Sequence, residues 1–271
     1  MGGLTEAAHR LSRYVRIMPP TDPIGALRAS HENLRSVVTP LDADGLRARG
    51  YPSEWSIAQV LSHIGSGAEI NLKVLNAALA GTDQPGQESN QEVWDRWNAK
   101  SPDDQAADAL VADAALLERI EANAGSTVLI PVWGGDVDVP GLAAYRLAEH
   151  AAHTWDVEVT GDPAATLHPA AVPFVLGAVE RLAAFVAKPA GWTGVVHVTT
   201  TAPGREYALE IGDPTTLTAW DGATTADATL TLPAEAFARL VYGRLDADHT
   251  PAEVTATGID LDVLRATCPG F

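Results

Sequence analysis

Residues 145–157 read YRLAEHAAHTWDV. Amid Ala, Leu, Trp and Val stand Arg146, Glu149, His150, His153 and Asp156, groups that are costly to bury unless something compensates their charge. A helix advances about 100° per residue, so Arg146, Glu149, His153 and Asp156 share an arc of roughly 80°. Their i, i+3, i+7, i+10 spacing is that of a stripe seaming a helix bundle. Glu149 and His153, four apart, can converge on one point, giving two of the three ligands of a metal site. A solvated face or an ordinary ion pair accounts for the same spacing, and His150 at the edge of the arc competes with His153.

Working outward, the chain up to about residue 160 reads as helices. Residues 22–40 and 54–80 carry apolar residues at helical spacing, the second with Ser53 as N-cap and Gly81 as terminator. Residues 82–102, with Trp94 and Trp97, read as a long loop or a short helix. Residues 103–123 form a further helix with acid in its first turn, as the macrodipole prefers. A hairpin is expected within 127–139, and Pro140 opens a helix running to about Val159. Ahead of these, MGGLTEAAHRLSRYVRIMPP suggests a short amphipathic helix ended by Pro19 and Pro20.

After the linker-like GDPAATLHP (161–169) the pattern changes. A helix at 170–187 precedes strands at 194–201, 205–211, 215–220 and 228–232. A helix from Pro233 to about Tyr242, a strand at 253–257 and a helix at 259–266 complete the chain. The expected class is α+β: an N-terminal extension (1–21), a four-helix bundle (22–162) and a small α+β domain (163–271).

The totals narrow the function. A net charge of −17 and the lack of a basic stripe argue against nucleic acid and against an anionic membrane surface. No run reaches the ~18–20 apolar residues of a membrane span, and no secretory signal is evident. The single cysteine, Cys268, allows no internal disulfide and fits a cytoplasmic setting. Any thiol chemistry would therefore draw its thiol from outside.

The candidate third metal ligand is His63 in LSHIG, at the edge of the apolar face of the 54–80 helix. His63, Glu149 and His153 would leave one or two coordination positions open, the pattern of a catalytic zinc. Asp156 could accept an imidazole N–H from behind, and Arg146 could neutralise nearby carboxylates.

Trp55–His63 (W-x7-H) followed by Arg146–Asp156 (R-x2-E-x3-H-x2-D) resembles the mycothiol-dependent maleylpyruvate isomerase family, within the DinB-like bundles. The resemblance implies a divalent metal, usually zinc, on His63, Glu149 and His153, and so prefers His153 to His150. The segment LTLPAEAFARLVYGRLDADHTPAEVTATGIDLDVLRATCPGF resembles the family's second, sterol-carrier-like domain. Its arginine in the G-R element, here Arg244, is implied to reach the metal cleft as a catalytic group, holding a carboxylate or a developing enolate. Where the isomerase has an arginine in the loop after the second helix, this chain has Asn90 or Gln91, with Arg96 nearest. Arg146 and Arg96 are the arginines assigned to cofactor binding. That departure argues against maleylpyruvate itself.

The expected function is a metal-dependent isomerase or S-transferase in which a metal-bound thiolate of mycothiol, or a similar small thiol, attacks a small electrophile. The expected oligomeric state is a monomer or small homo-oligomer. Two alternatives stand beside it. One is a metal hydrolase using Asp156 or Glu69 as base. The other is a non-catalytic module that retains a small ligand.

Overall fold

The computed structural model describes residues 22–133 and 135–270, so the amphipathic helix expected before Pro20 lies outside the described residues. Helix α1 (Pro23–Val38) begins where Asp22 accepts the Ile24 N–H and Pro23 fits the first turn. A one-turn helix, α2 (Ala43–Arg47), follows; it is too short to leave a periodic signal, and the sequence reading did not foresee it. Helix α3 (Ile57–Ala80) ends at Gly81, whose φ of 65° is the left-handed cap glycine favours. Its N-cap is Ser56 and not Ser53. Ser56 bonds the Gln59 N–H while Gln59 returns a bond to the Ser56 N–H, a reciprocal pairing Ser53 cannot make from within the preceding turn.

Residues 82–102 contain a true helix, α4 (Gln87–Asn98). Helix α5 (Pro102–Ala122) starts on Ser101, and the hairpin β1 (Ile130–Val132) and β2 (Gly135–Val137) leads into α6 (Val139–Glu158), capped by Asp138. In the bundle α3 packs along α5 and α1 along α6, the two most extensive helix contacts. Gly65 permits the first of these. A Cβ there would stand 2.2 Å from the Trp97 ring and 2.9 Å from Ala109 Cα.

The remaining chain forms α7 (Val172–Val186), β3 (Gly194–Thr201), β4 (Arg205–Ile211), β5 (Thr216–Ala219), β6 (Ala228–Pro233), α8 (Ala234–Val241), β7 (Thr255–Thr257) and α9 (Leu261–Thr267). The five strands make one mixed sheet in the order β5-β4-β3-β6-β7, with only β3 and β6 parallel. Along β6 the residues Ala228, Leu230 and Leu232 are buried while Thr229 and Thr231 are exposed, so one face of the sheet meets α7 and α8. The class is α+β. Helices α6 and α7 touch, and one continuous core runs from Leu27 and Leu142 through Trp155 to Phe237. No helix among the described residues is long and apolar enough to cross a membrane.

Candidate metal centre

Helix α3 presents His63, and α6 presents Glu149 and His153 one turn apart. One donor atom from each of the three lies within 4.8 Å of the others. Glu149 Oε2 is 3.7 Å from His63 Nε2 and 3.6 Å from His153 Nε2. A tetrahedral ion with bonds of about 2.1 Å separates its ligand atoms by about 3.4 Å, so the donors stand close to the spacing such an ion requires. The two imidazoles meet edge to face with centroids 4.5 Å apart, and Trp55 lies 5.4 Å from the ring of His63.

The electrostatics suit a cation. Burial opposes ionisation of Glu149, but the imidazoles of His153 and His63 beside it outweigh that and hold the carboxyl well below its ordinary range. Burial, aided by the charge of His153, lowers His63 and favours the neutral imidazole a ligand must be. Burial also pushes His153 down, but its hydrogen bond to Asp156 and the Glu149 carboxylate beside it win and raise it. A carboxylate can only accept, so His153 Nδ1–H donates to Asp156 Oδ2 at 2.8 Å, and the lone pair sits on Nε2, toward His63 and Glu149.

Asp156 is fully buried and accepts from a second residue. Arg244 donates Nε–H to Oδ1 and Nη2–H to Oδ2, each at 2.7 Å, and Nη1–H to the Tyr242 carbonyl at 2.7 Å. This corrects the role expected of Arg244. Its forked edge holds Asp156, which in turn holds His153, so the guanidinium is engaged within the chain.

Arg146 neutralises a carboxylate, as the sequence reading expected, but one inside the bundle. It is 4% exposed, and its Nη2 donates to the Ile64 carbonyl at 2.7 Å and to Asp113 Oδ1 at 3.3 Å. The guanidinium is turned into the bundle, where it neutralises a buried carboxylate, and a cofactor outside does not meet it there. Asp113 Oδ2 further accepts from His31 Nδ1 and His150 Nε2, both at 2.9 Å, and Ser30 Oγ–H donates to His150 Nδ1 at 2.8 Å. His150 is thus held in this buried network while His153 joins the triad. The sequence reading did not find Asp113. Its signal was there: an acid in register with the buried Ala106, Ala109, Leu116 and Ile120 of α5. Arg96 is on α4 and bonds Glu69 Oε1 at 2.5 Å, while Trp97 Nε1–H donates to Glu69 Oε2 at 2.9 Å. Trp97 is buried packing; Trp94 is 38% exposed and lines a cavity of about 1210 Å³ that Glu149 also lines.

Two family models match the chain: mycothiol maleylpyruvate isomerase N-terminal domain over residues 27–158, and MDMPI C-terminal domain over residues 169–265. The chain belongs to the mycothiol maleylpyruvate isomerase family. Comparison with curated proteins gives no match. Among solved structures the chain is similar to the mycothiol-dependent maleylpyruvate isomerase and to a histidine-to-alanine mutant of it. Each match has a TM-score of 0.63 at 13% identity and covers 89% of this chain and 93% of that chain. At that identity the likeness speaks for the fold. In this member of the isomerase family, His63, Glu149 and His153 are the described residues that meet as a candidate metal-holding group.

Proposed function

We propose that the protein is a divalent-metal, mycothiol-dependent enzyme that isomerises a small electrophile or transfers the thiol to it. The observation that carries the reading is the meeting of His63, Glu149 and His153 beside a large cavity that Glu149 itself lines. Two imidazoles and one carboxylate are a natural donor set for zinc and leave a position for a further ligand. A bound divalent metal would lower the pKa of an incoming thiol and so supply thiolate at neutral pH.

The chain's own residues supply orientation. Asp156 keeps the lone pair of His153 on Nε2, Arg244 fixes Asp156, and Arg146 ties α6 to the carbonyl next to His63. Arg96, held by Glu69 yet half-exposed, remains the arginine offered to the thiol cofactor. The chain supplies no thiol of its own for the site. Cys268 is buried beside Tyr51 and Leu240, and burial pushes its pKa up to about 12. The nucleophilic sulfur is therefore external, in keeping with a cytoplasmic protein that works as a monomer or small homo-oligomer on a soluble thiol.

The hydrolase reading loses its bases. Asp156 is engaged by Arg244 and His153, and Glu69 by Arg96 and Trp97, and both carboxyls are held below their ordinary range by those bonds. The test is metal analysis of the wild type and of His63→Ala, Glu149→Ala and His153→Ala, joined to turnover of α,β-unsaturated acids and epoxides with and without mycothiol. Metal lost in all three variants and turnover only with thiol is the expected result. Turnover without thiol would return the hydrolase.

A further inference from the structure

The cavity beside Glu149 is larger than the ~300–1,000 Å³ of most small-molecule sites, and its shape has a simple origin. Helix α6 faces it with Gly141, Ala144 and Ala148, spaced three and four apart, and α7 faces it with the adjacent Gly177 and Ala178. Small residues on two adjacent helices leave the space open; a Cβ added at Gly177 would meet nothing within 4 Å. Aromatic rings form the remaining walls: Trp94, Phe174, and the mutually perpendicular pair Trp133 and Phe185, exposed at 55% and 64%. Rings at a cavity wall offer apolar contact surface to a ligand.

The charges within are few. The acids lining the cavity are Glu149 and Asp136, and the one cation is Arg181, a turn before Phe185 on α7. Among the described residues no hydrogen bond or ion pair engages the Arg181 guanidinium. Glu149 and Arg181 both act electrostatically on Tyr145 and on Tyr242, so the two phenols lie within reach of both charges. Arg244, the other arginine near this end, is occupied by Asp156. One free guanidinium can match one carboxylate, and away from the Glu149 end the walls offer only Asp136, apolar rings and small residues to anything further.

Resting on the enzymatic reading above for where the reaction takes place, we infer that Arg181 anchors the substrate's anionic group. The substrate class is then a monoanionic unsaturated acid with an extended apolar or aromatic body, and not a compact dicarboxylate. The body lies along Trp94, Phe174 and Phe185, and the reactive carbon reaches the Glu149 end.

Binding without thiol tests this apart from turnover. Metal-loaded wild type, Arg181→Gln and Gly177→Leu are titrated calorimetrically with cinnamate, its methyl ester and maleate. A charge-assisted bond is worth roughly tenfold in affinity at a partly exposed site. Cinnamate should thus bind wild type about tenfold more tightly than the ester, and Arg181→Gln should erase that preference. Gly177→Leu should weaken both aryl probes while leaving melting temperature and metal content unchanged, because its side chain enters empty space. Maleate should not compete. Equal binding of acid and ester to wild type, no binding of either, or tighter binding of maleate would overturn the inference. So would a preference that survives Arg181→Gln. Absence of thiol-dependent turnover in protein that binds cinnamate through Arg181 would count against the enzymatic reading alone.

Discussion

Asp156→Asn removes one negative charge and almost no volume, so its consequences can be traced bond by bond. Oδ2 accepts from His153 Nδ1 and Arg244 Nη2, and Oδ1 accepts from Arg244 Nε. An amide has one acceptor and one donor end. If the donor replaces Oδ1, it faces the Nε–H of Arg244. If it replaces Oδ2, it faces Arg244 Nη2–H and forces His153 to accept at Nδ1, which places the proton on Nε2 and removes the ligand lone pair. Either way the buried Arg244 is left without a compensating charge, a loss of about 3–5 kcal/mol when one partner of a buried pair is removed. Disturbing a carboxylate behind a ligating imidazole costs about 10–100-fold in metal affinity. We expect a zinc dissociation constant raised within that range, read by competition with a chromophoric chelator, and a lower denaturation midpoint. Adding Arg244→Met removes the stranded cation and lets the amide oxygen accept from His153, so the double variant should recover stability and part of the affinity. The coupling should be about 0.5–3 kcal/mol. Wild-type zinc affinity in Asp156→Asn would refute the idea that Asp156 sets the tautomer of His153.

Other expectations follow from separate places in the molecule. Gly65→Ala drives a methyl to 2.2 Å from Trp97 and 2.9 Å from Ala109 Cα, so urea unfolding should show a loss of about 1–3 kcal/mol despite the better helix former. Burial opposes ionisation of Asp113, but His150, His31 and Arg146 hold its folded-state pKa well below the ordinary value. A lowered folded pKa adds stability that is complete above the unfolded value of about 4 and fades as pH falls through the folded one, so Asp113→Asn should flatten the acid limb of a stability–pH curve. Cys268→Ser should leave thiol-dependent turnover unchanged, because the thiol is buried and lines a small pocket that none of the triad lines; a lost activity would mean the chain supplies the sulfur.

The sequence carried the helices and most strands because their signals are local. Asp22, Ser101 and Asp138 cap, Pro23, Pro102 and Pro140 open helices, and β3 and β4 alternate. Helix spacing offered His63, Glu149 and His153 as a candidate group, with His150 as a rival, and the family resemblance made the choice between the two histidines. What the sequence did not carry depends on distances between elements. Asp113 went unread because its partners His150 and Arg146 stand on α6, which meets α5 only in the folded bundle. Arg244 looked free until Asp156, 88 residues earlier, reached it. Trp94 and Trp97, three apart, divided between cavity and core only once α4 was laid on α3.

Arg244 and Asp156 also explain why the bundle carries a second domain. Trp155 extends the core toward Phe237, its indole Nε1–H bonds the Ala165 carbonyl, and Arg239 lies over its ring. The next residue, Asp156, takes both charge-assisted bonds from Arg244, at the foot of α8. His153, one turn earlier on α6, therefore takes its orientation from a side chain of the C-terminal half. A bundle alone could bring His63, Glu149 and His153 together, but the carboxylate behind His153 would be buried without its cation and would be free to protonate or turn away. Docking of the sheet domain thus compensates a buried charge and aligns an imidazole in one step. Any change that loosens α8 from α6 should therefore weaken metal binding before it unfolds the bundle.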